Sequence, residues 1–127
     1  NKPATALVRA YDDALGVTAA FDKNLLARLN RDLGADFDLA RFRHEARWRD
    51  AECRIEMHLV ATRAQEVSIP ALDLRVAFRE GESIWTESSY KFDRDAVASL
   101  AHGAGFQVSA EWHDDEWPFA ETLLRVP

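Results

Sequence analysis

The sequence predicts an α+β fold, with N-terminal helices followed by a mainly antiparallel sheet and, at the end, one more helix and an antiparallel hairpin. Three observations predict it. Apolar residues recur at three- and four-residue spacing through the first third of the chain. The period drops to two after Asp50. A capping residue, Asp93, then opens a new helical stretch before two last alternating runs. The 127 residues, 47% apolar and 30% charged, suffice for a core without disulfides or metals.

The first helix is expected over Pro3 to Leu15, with Leu7, Val8, Tyr11, Ala14 and Leu15 on one stripe and Gly16 as its left-handed cap. Thr18 can cap a second helix, because its hydroxyl accepts from an orphan N–H of the first turn. Phe21, Leu25, Leu29 and Leu33 then line that helix up to Gly34. Asp38 repeats the device for a shorter third helix. Its inner side is Leu39, Phe42 and Ala46, and its solvated side is Arg41, Arg43, Arg47 and Arg49. A strand begins near Cys53, where Ile55, Met57 and Leu59 alternate with Arg54, Glu56 and His58. A short strand around Val67 and Ile69 is broken by Pro70, and a third runs from Leu72 to Phe78. A hairpin turning at Gly81 would lay that third strand beside Glu82 to Phe92. Asp93 caps a helix with Val97, Leu100 and Ala101 inward, ended by Gly103 and Gly105. Phe106 to Trp112 and Phe119 to Val126 form the last hairpin around the acidic turn from His113 to Pro118.

Composition narrows the function classes. With 22 acidic against 16 basic residues the formal charge is −6, and the basic residues are interleaved with acidic ones, so neither nucleic acid nor an anionic membrane is the expected partner. No apolar run approaches the roughly 20 residues of a membrane span, and the first ten residues do not read as an export signal. Cys53 is the single cysteine, which excludes an internal disulfide and suits a reducing, cytoplasmic setting with Cys53 as buried filler. The absent initiator Met suggests a truncated or processed chain.

The stretch Thr86-Glu87-Ser88-Ser89-Tyr90-Lys91 carries the most specific chemistry. On a strand, Glu87 and Ser89 point the same way, together with Trp85 and Lys91. An ionised carboxylate only accepts a hydrogen bond, whereas a hydroxyl donates or accepts, so the pair suits a ring with one N–H and one bare nitrogen. A neutral imidazole is such a ring. A polar strand face turned to water is the competing reading. Met57 and Tyr11 read as an inward core methionine and an aromatic on the stripe of the first helix. Glu56 and His58, two apart on one strand, make a two-point metal site possible but specify no further ligand, and the acidic turn reads as an exposed loop. No nucleophile elbow and no phosphate-cradling glycine loop is present. On these residues alone, a stand-alone small-molecule binding module fits as well as part of an enzyme.

Several strings together are more specific. Ala10-Tyr11-Asp12-Asp13, Asn24 to Arg31 with Leu33 to Asp38, Arg54-Ile55-Glu56-Met57-His58-Leu59, Thr86 to Phe92 and Ala104-Gly105-Phe106 occur in order over nearly the whole chain. They resemble the C-terminal portion of the histidine-specific methyltransferases of ergothioneine biosynthesis, a family whose wider membership includes fungal enzymes acting on tryptophan derivatives. The resemblance implies a substrate-binding insert over residues 1–91, followed over 92–127 by the last helix and hairpin of a methyltransferase-type sheet. It also implies S-adenosylmethionine as cofactor, bound by a half of the enzyme that this sequence does not match, so that the isolated chain should not catalyse. Histidine, or another aromatic amino acid, would be the ligand. Glu87 and Ser89 fall where the family grips the imidazole, Met57 where a methionine packs on that ring, and Tyr11 where a tyrosine approaches the amino-acid head. Ser88 stands where the family often has Asn, on the opposite strand face, where the departure should matter little. The last hairpin would normally extend a larger sheet, so its orphan edge is expected to make this portion dimerise.

Overall fold

The structure, a computed structural model, describes residues 3–117 and 119–127. Pro118, the expected end of the acidic turn, lies outside the described residues. The chain divides into two compact units, Ala4–Tyr90 and Lys91–Pro127.

The first unit opens with α1 (Ala4–Tyr11) and α2 (Val17–Leu33). The first helix is shorter than its apolar spacing predicts: Leu15 is 90% exposed, because the chain leaves the helix after Tyr11. Asp13 explains where α2 starts. Its carboxylate accepts the Val17 and Thr18 N–H groups at 3.0 and 2.8 Å, which holds its pKa down at about 2 and satisfies two orphan donors. Thr18 therefore lies inside the first turn and does not cap it. Gly16, at φ 73°, precedes α2 and does not end α1. Of the expected stripe on α2, Leu29 and Leu33 pack on the main core, but toward the helix start the inward face moves by one position. Leu26 is fully buried and Asp22 nearly so, while Phe21 is 69% exposed.

The expected third helix is a correction. Asp38 does cap, accepting from the Ala40 N–H, but the turn it caps is a single 3₁₀ turn, Leu39–Arg41. The chain then extends as β1 (Phe42–Arg49). Phe42 and Ala46 are inward in either conformation, since four residues complete about one helical turn and also two strand repeats. Burial of His44 between them marks the strand.

β1 pairs antiparallel with β2 (Arg54–Ala61), and β2 pairs antiparallel with β5 (Ser83–Tyr90), giving a three-stranded sheet in the order β1-β2-β5. A separate two-stranded ribbon joins β3 (Gln65–Ile69) to β4 (Leu74–Phe78). The hairpin at Gly81 thus does not pair its two flanking strands. The Gly81 N–H donates to the Ala61 carbonyl at 2.9 Å, and the Ala61 N–H to Glu82, which leads β5 to β2 and away from β4. The main core lies between α2, the sheet and the ribbon. Phe42 is 1% exposed and sits edge-on to Phe78 at 5.4 Å, with Phe37 5.8 Å from Phe42 and 6.5 Å from Phe78, and Leu26, Leu59 and Val67 complete the cluster. A second cluster sets Leu7, Val8 and Tyr11 of α1 on Ala46, Trp48 and Ile55. Cys53 is exposed at the tip between β1 and β2 with φ 48°, not buried filler.

In the second unit Asp93 accepts from the Ala96 N–H and starts α3 (Arg94–Gly103), of which Ala101 is buried. Gly105, at φ 80°, turns the chain into β6 (Gln107–His113), which pairs antiparallel with β7 (Ala120–Arg125). Among the described residues no helix is long and apolar enough to cross a membrane.

Candidate functional site

Residues directly opposite one another in an antiparallel pair share a face. By that rule Ile55 and Met57 of β2 face the same side as Ser89 and Glu87 of β5, their respective partners, and Ala46 of β1 faces Met57 from the other edge. This is the side covered by α1. Tyr11, the last residue of α1, brings its hydroxyl to 2.7 Å from Ser89 Oγ. The four residues singled out in the sequence, Tyr11, Met57, Glu87 and Ser89, therefore gather on one side of one sheet. Met57 is buried, Tyr11 and Ser89 are half-buried, and Glu87 is exposed.

Trp85 and Lys91 do not join them. The register slips between Met57 and His58: Glu87 lies opposite Met57, but Trp85 lies opposite His58, so Thr86 is an extra residue, a β-bulge. Trp85 consequently faces the other side, stacked on His58 with ring centroids 6.3 Å apart and planes 17° from parallel. Lys91 lies beyond the end of β5. Two hydrogen bonds fix the bulge: the Thr86 hydroxyl donates to the Met57 carbonyl at 2.9 Å, and the Trp85 indole N–H donates to the Glu87 carbonyl at 3.0 Å.

The opposite side of the sheet holds a charged network. Glu56, 2% exposed, accepts from Arg54 at 2.6 Å, from Arg49 at 3.0 Å and from His58 Nε2 at 3.1 Å. The Arg54 guanidinium also lies 4.6 Å from the centroid of the Trp85 ring. Burial pulls the Glu56 carboxyl up, but hydrogen bonds from Arg54, His58 and Arg49 outweigh it and hold the pKa down at about 2. The Glu56 and His58 pair is thus occupied by two guanidinium groups. Among the described residues no three His, Cys, Asp or Glu side chains cluster as a metal site would require.

That depressed pKa sets a pH window. A carboxyl more acidic in the folded than in the unfolded chain adds stability that is complete above its ordinary value, 4.5, and disappears as pH falls toward about 2. Thermal melts between pH 5 and pH 3 should show the wild type losing stability more steeply than Glu56→Gln, and parallel curves would refute the assignment.

Two residues near the site were not singled out from sequence. Asp22 lies on α2 outside the expected apolar stripe and His44 lies within the expected third helix, yet both are buried and bonded to each other at 2.8 Å. Charged or titratable residues at inward spacing between apolar ones were the available signal.

The profile of a family described as histidine-specific methyltransferases, SAM-dependent, matches residues 1–126. A Histidine N-alpha-methyltransferase of Mycolicibacterium smegmatis is 50% identical over 117 residues, which is 92% of this chain and 36% of that protein. A protein of the same name from Mycobacterium tuberculosis is 49% identical over 96% of this chain and 38% of its own length. The N-methyltransferase imqF of Aspergillus flavus is 26% identical over 94% of the chain. The chain thus spans about a third of the length of these relatives, between 32% and 38%.

Proposed function

Because the chain belongs to the family of histidine-specific, S-adenosylmethionine-dependent methyltransferases, we propose that it is the substrate-recognising portion of a protein that methylates the α-amine of histidine to hercynine, a step toward ergothioneine. The observation that carries this reading is the half-identity, over nearly the whole chain, to two proteins bearing the histidine methyltransferase name.

The side chains gathered under α1 suit the ligand. Glu87 accepts the imidazole N–H, the hydroxyl pair of Tyr11 and Ser89 offers a proton to the bare nitrogen or to the amino-acid head, and Met57 supplies an apolar wall beside the ring. Methyl transfer to an amine needs its lone pair held in line with the donor methyl, so the contribution of these residues is positioning. A site that hydrogen-bonds an N–H favours ligands that carry one over ligands that lack it.

S-adenosylmethionine is the methyl donor in this reading, but the described residues do not fit it. All paired strands are antiparallel, and none of the positive-φ glycines stands between a strand and a following helix, where a nucleotide-type cofactor is cradled. No step is assigned to residues of this chain through that group.

The test is transfer by the complete protein containing this chain. Incubated with S-adenosylmethionine, it should add up to three methyl groups to histidine, followed by mass spectrometry, and leave tryptophan and tyrosine unmodified. Methylation of either of these in preference to histidine would reassign the substrate. Absence of transfer to all three would overturn the reading.

A further inference from the structure

The buried pair Asp22 and His44 has no part in the ligand contacts just described, yet it bonds to the backbone of a residue that does. His44 Nδ1 lies 2.8 Å from Asp22 Oδ2, and His44 Nε2 lies 2.7 Å from the carbonyl oxygen of Tyr11. The two side chains are 1% and 4% exposed. A carbonyl only accepts, so Nε2 must carry a hydrogen and donate it to Tyr11. This assignment is independent of where the other proton resides. An ionised Asp22 accepts from a protonated Nδ1, and a neutral carboxyl donates to a bare one, but Nε2 donates in both cases.

The bond falls at the C-terminal end of α1. Tyr11 is the last residue of the helix, and a helix end leaves carbonyls without an intrahelical partner. The helix has eight residues, too few to be stable by its own hydrogen bonds, and it rests on the sheet through Leu7, Val8 and Tyr11. His44 comes from β1, the strand paired with β2, and Asp22 from the inward face of α2. The pair therefore ties α1, α2 and the sheet together at one backbone atom. The side chain of that same residue reaches Ser89 at 2.7 Å.

We infer that His44, oriented by Asp22, is a positioning residue: it fixes the C-terminal end of α1 and so sets the Tyr11 hydroxyl against Ser89 in the substrate site. The inference rests on the histidine-binding role proposed above for Tyr11 and Ser89. Neither Asp22 nor His44 touches the ligand in this scheme. Their effect passes through Tyr11.

Two near-isosteres separate positioning from general structural support. The amide of His44→Asn reproduces the Nδ1 side of the ring and keeps a partner for Asp22, but it cannot reach the Tyr11 carbonyl. The amide of His44→Gln reproduces the Nε2 side and restores that donor. In the complete protein His44→Asn should weaken histidine binding about tenfold in calorimetry, with S-adenosylmethionine affinity within about twofold of wild type, and His44→Gln should recover most of the loss. In a Tyr11→Phe background His44→Asn should cause no further loss, since the hydroxyl it positions is gone. Equal effects of the two substitutions, a loss that persists in the Tyr11→Phe background, or a parallel fall in both ligands' affinities would overturn the inference.

A second measurement does not depend on the ligand. Hydrogen–deuterium exchange over residues 4–13 should be faster in His44→Asn than in wild type or His44→Gln, with residues 54–61 unchanged, and unaltered exchange over 4–13 would also overturn it. If the wild-type protein binds no histidine, the proposed function fails and the exchange comparison alone judges the pin. Should His44→Asn lose protection across residues 54–61 as well, Asp22→Asn replaces it. That variant keeps an oxygen for the ring and removes the charge, and it should speed exchange over 4–13 to a smaller extent, with no change there overturning the inference.

Discussion

Replacing Glu87 by alanine in the complete protein is expected to weaken histidine binding about ten- to a hundredfold while S-adenosylmethionine binding changes by less than about twofold. The reason lies in what an imidazole offers. Its N–H needs an acceptor, and a carboxylate is the strongest one a side chain supplies, with a charged hydrogen bond worth about 1.5–3 kcal/mol. Glu87 stands opposite Met57 on the α1 side of the sheet, two residues from Ser89. Its removal takes away the acceptor for that ring N–H. Glu87→Gln, which keeps one acceptor oxygen but loses the charge, should fall between the two. Titration calorimetry on the wild type and both variants, run separately with each ligand, checks the ordering. Unaltered histidine affinity in Glu87→Ala would remove Glu87 from the site.

The largest effect on stability should come from Phe42→Ala, at about 3–5 kcal/mol. Phe42 is 1% exposed and its ring packs against those of Phe37 and Phe78, which come from the loop after α2 and from β4. It is thus the piece that joins the three-stranded sheet to the ribbon and to α2. Truncation leaves a cavity bordered by two aromatic rings, and closely packed rings collapse poorly into it. Chemical denaturation should show the midpoint falling at nearly unchanged m-value. Phe42→Leu retains most of the apolar volume and should cost markedly less. Equal costs for the two would mean that the space around Phe42 is not closely packed.

What the sequence made legible, and what it hid, divides along the range of the interactions involved. The second unit follows from local signals: a capping Asp93, a glycine with positive φ at Gly105, and two alternating runs each define themselves within a few residues. β1 was read as a helix because Asp38 is a genuine cap and because Phe42 and Ala46 are spaced for either structure. The deciding residue, His44, is polar and goes inward only because Asp22 of α2 meets it. Leu29 and Leu33 of α2 pack inward as their spacing predicts, whereas the N-terminal half of that face differs, since a charged Asp22 is a poor candidate for burial until its partner is known. The return of β5 to β2 in place of β4 is likewise a tertiary choice, recorded in the bonds of Gly81 and Glu82 to Ala61. In the site, alternation placed Glu87 and Ser89 on one side correctly. Their meeting with Met57 and Tyr11 depends on cross-strand register and on the helix above, which no periodicity contains.

The extra residue at Thr86 acts as a phase shift along β5. Before it, Ile84 and Trp85 keep step with Leu59 and His58, and after it Glu87 and Ser89 keep step with Met57 and Ile55, so two residues of like parity in sequence serve opposite sides of the sheet. The strand is in effect two independent even–odd codes joined at one unpaired position. Each half still serves both sides: Ile84, Glu87 and Ser89 face the side of Met57 and Leu59, whereas Trp85 and Ser88 face the side of His58 and Glu56. Deletion of Thr86 alone would bring the halves into one continuous count without turning any side chain over. A residue inserted between Glu87 and Ser89 would turn Ser89 away from the side that carries Glu87.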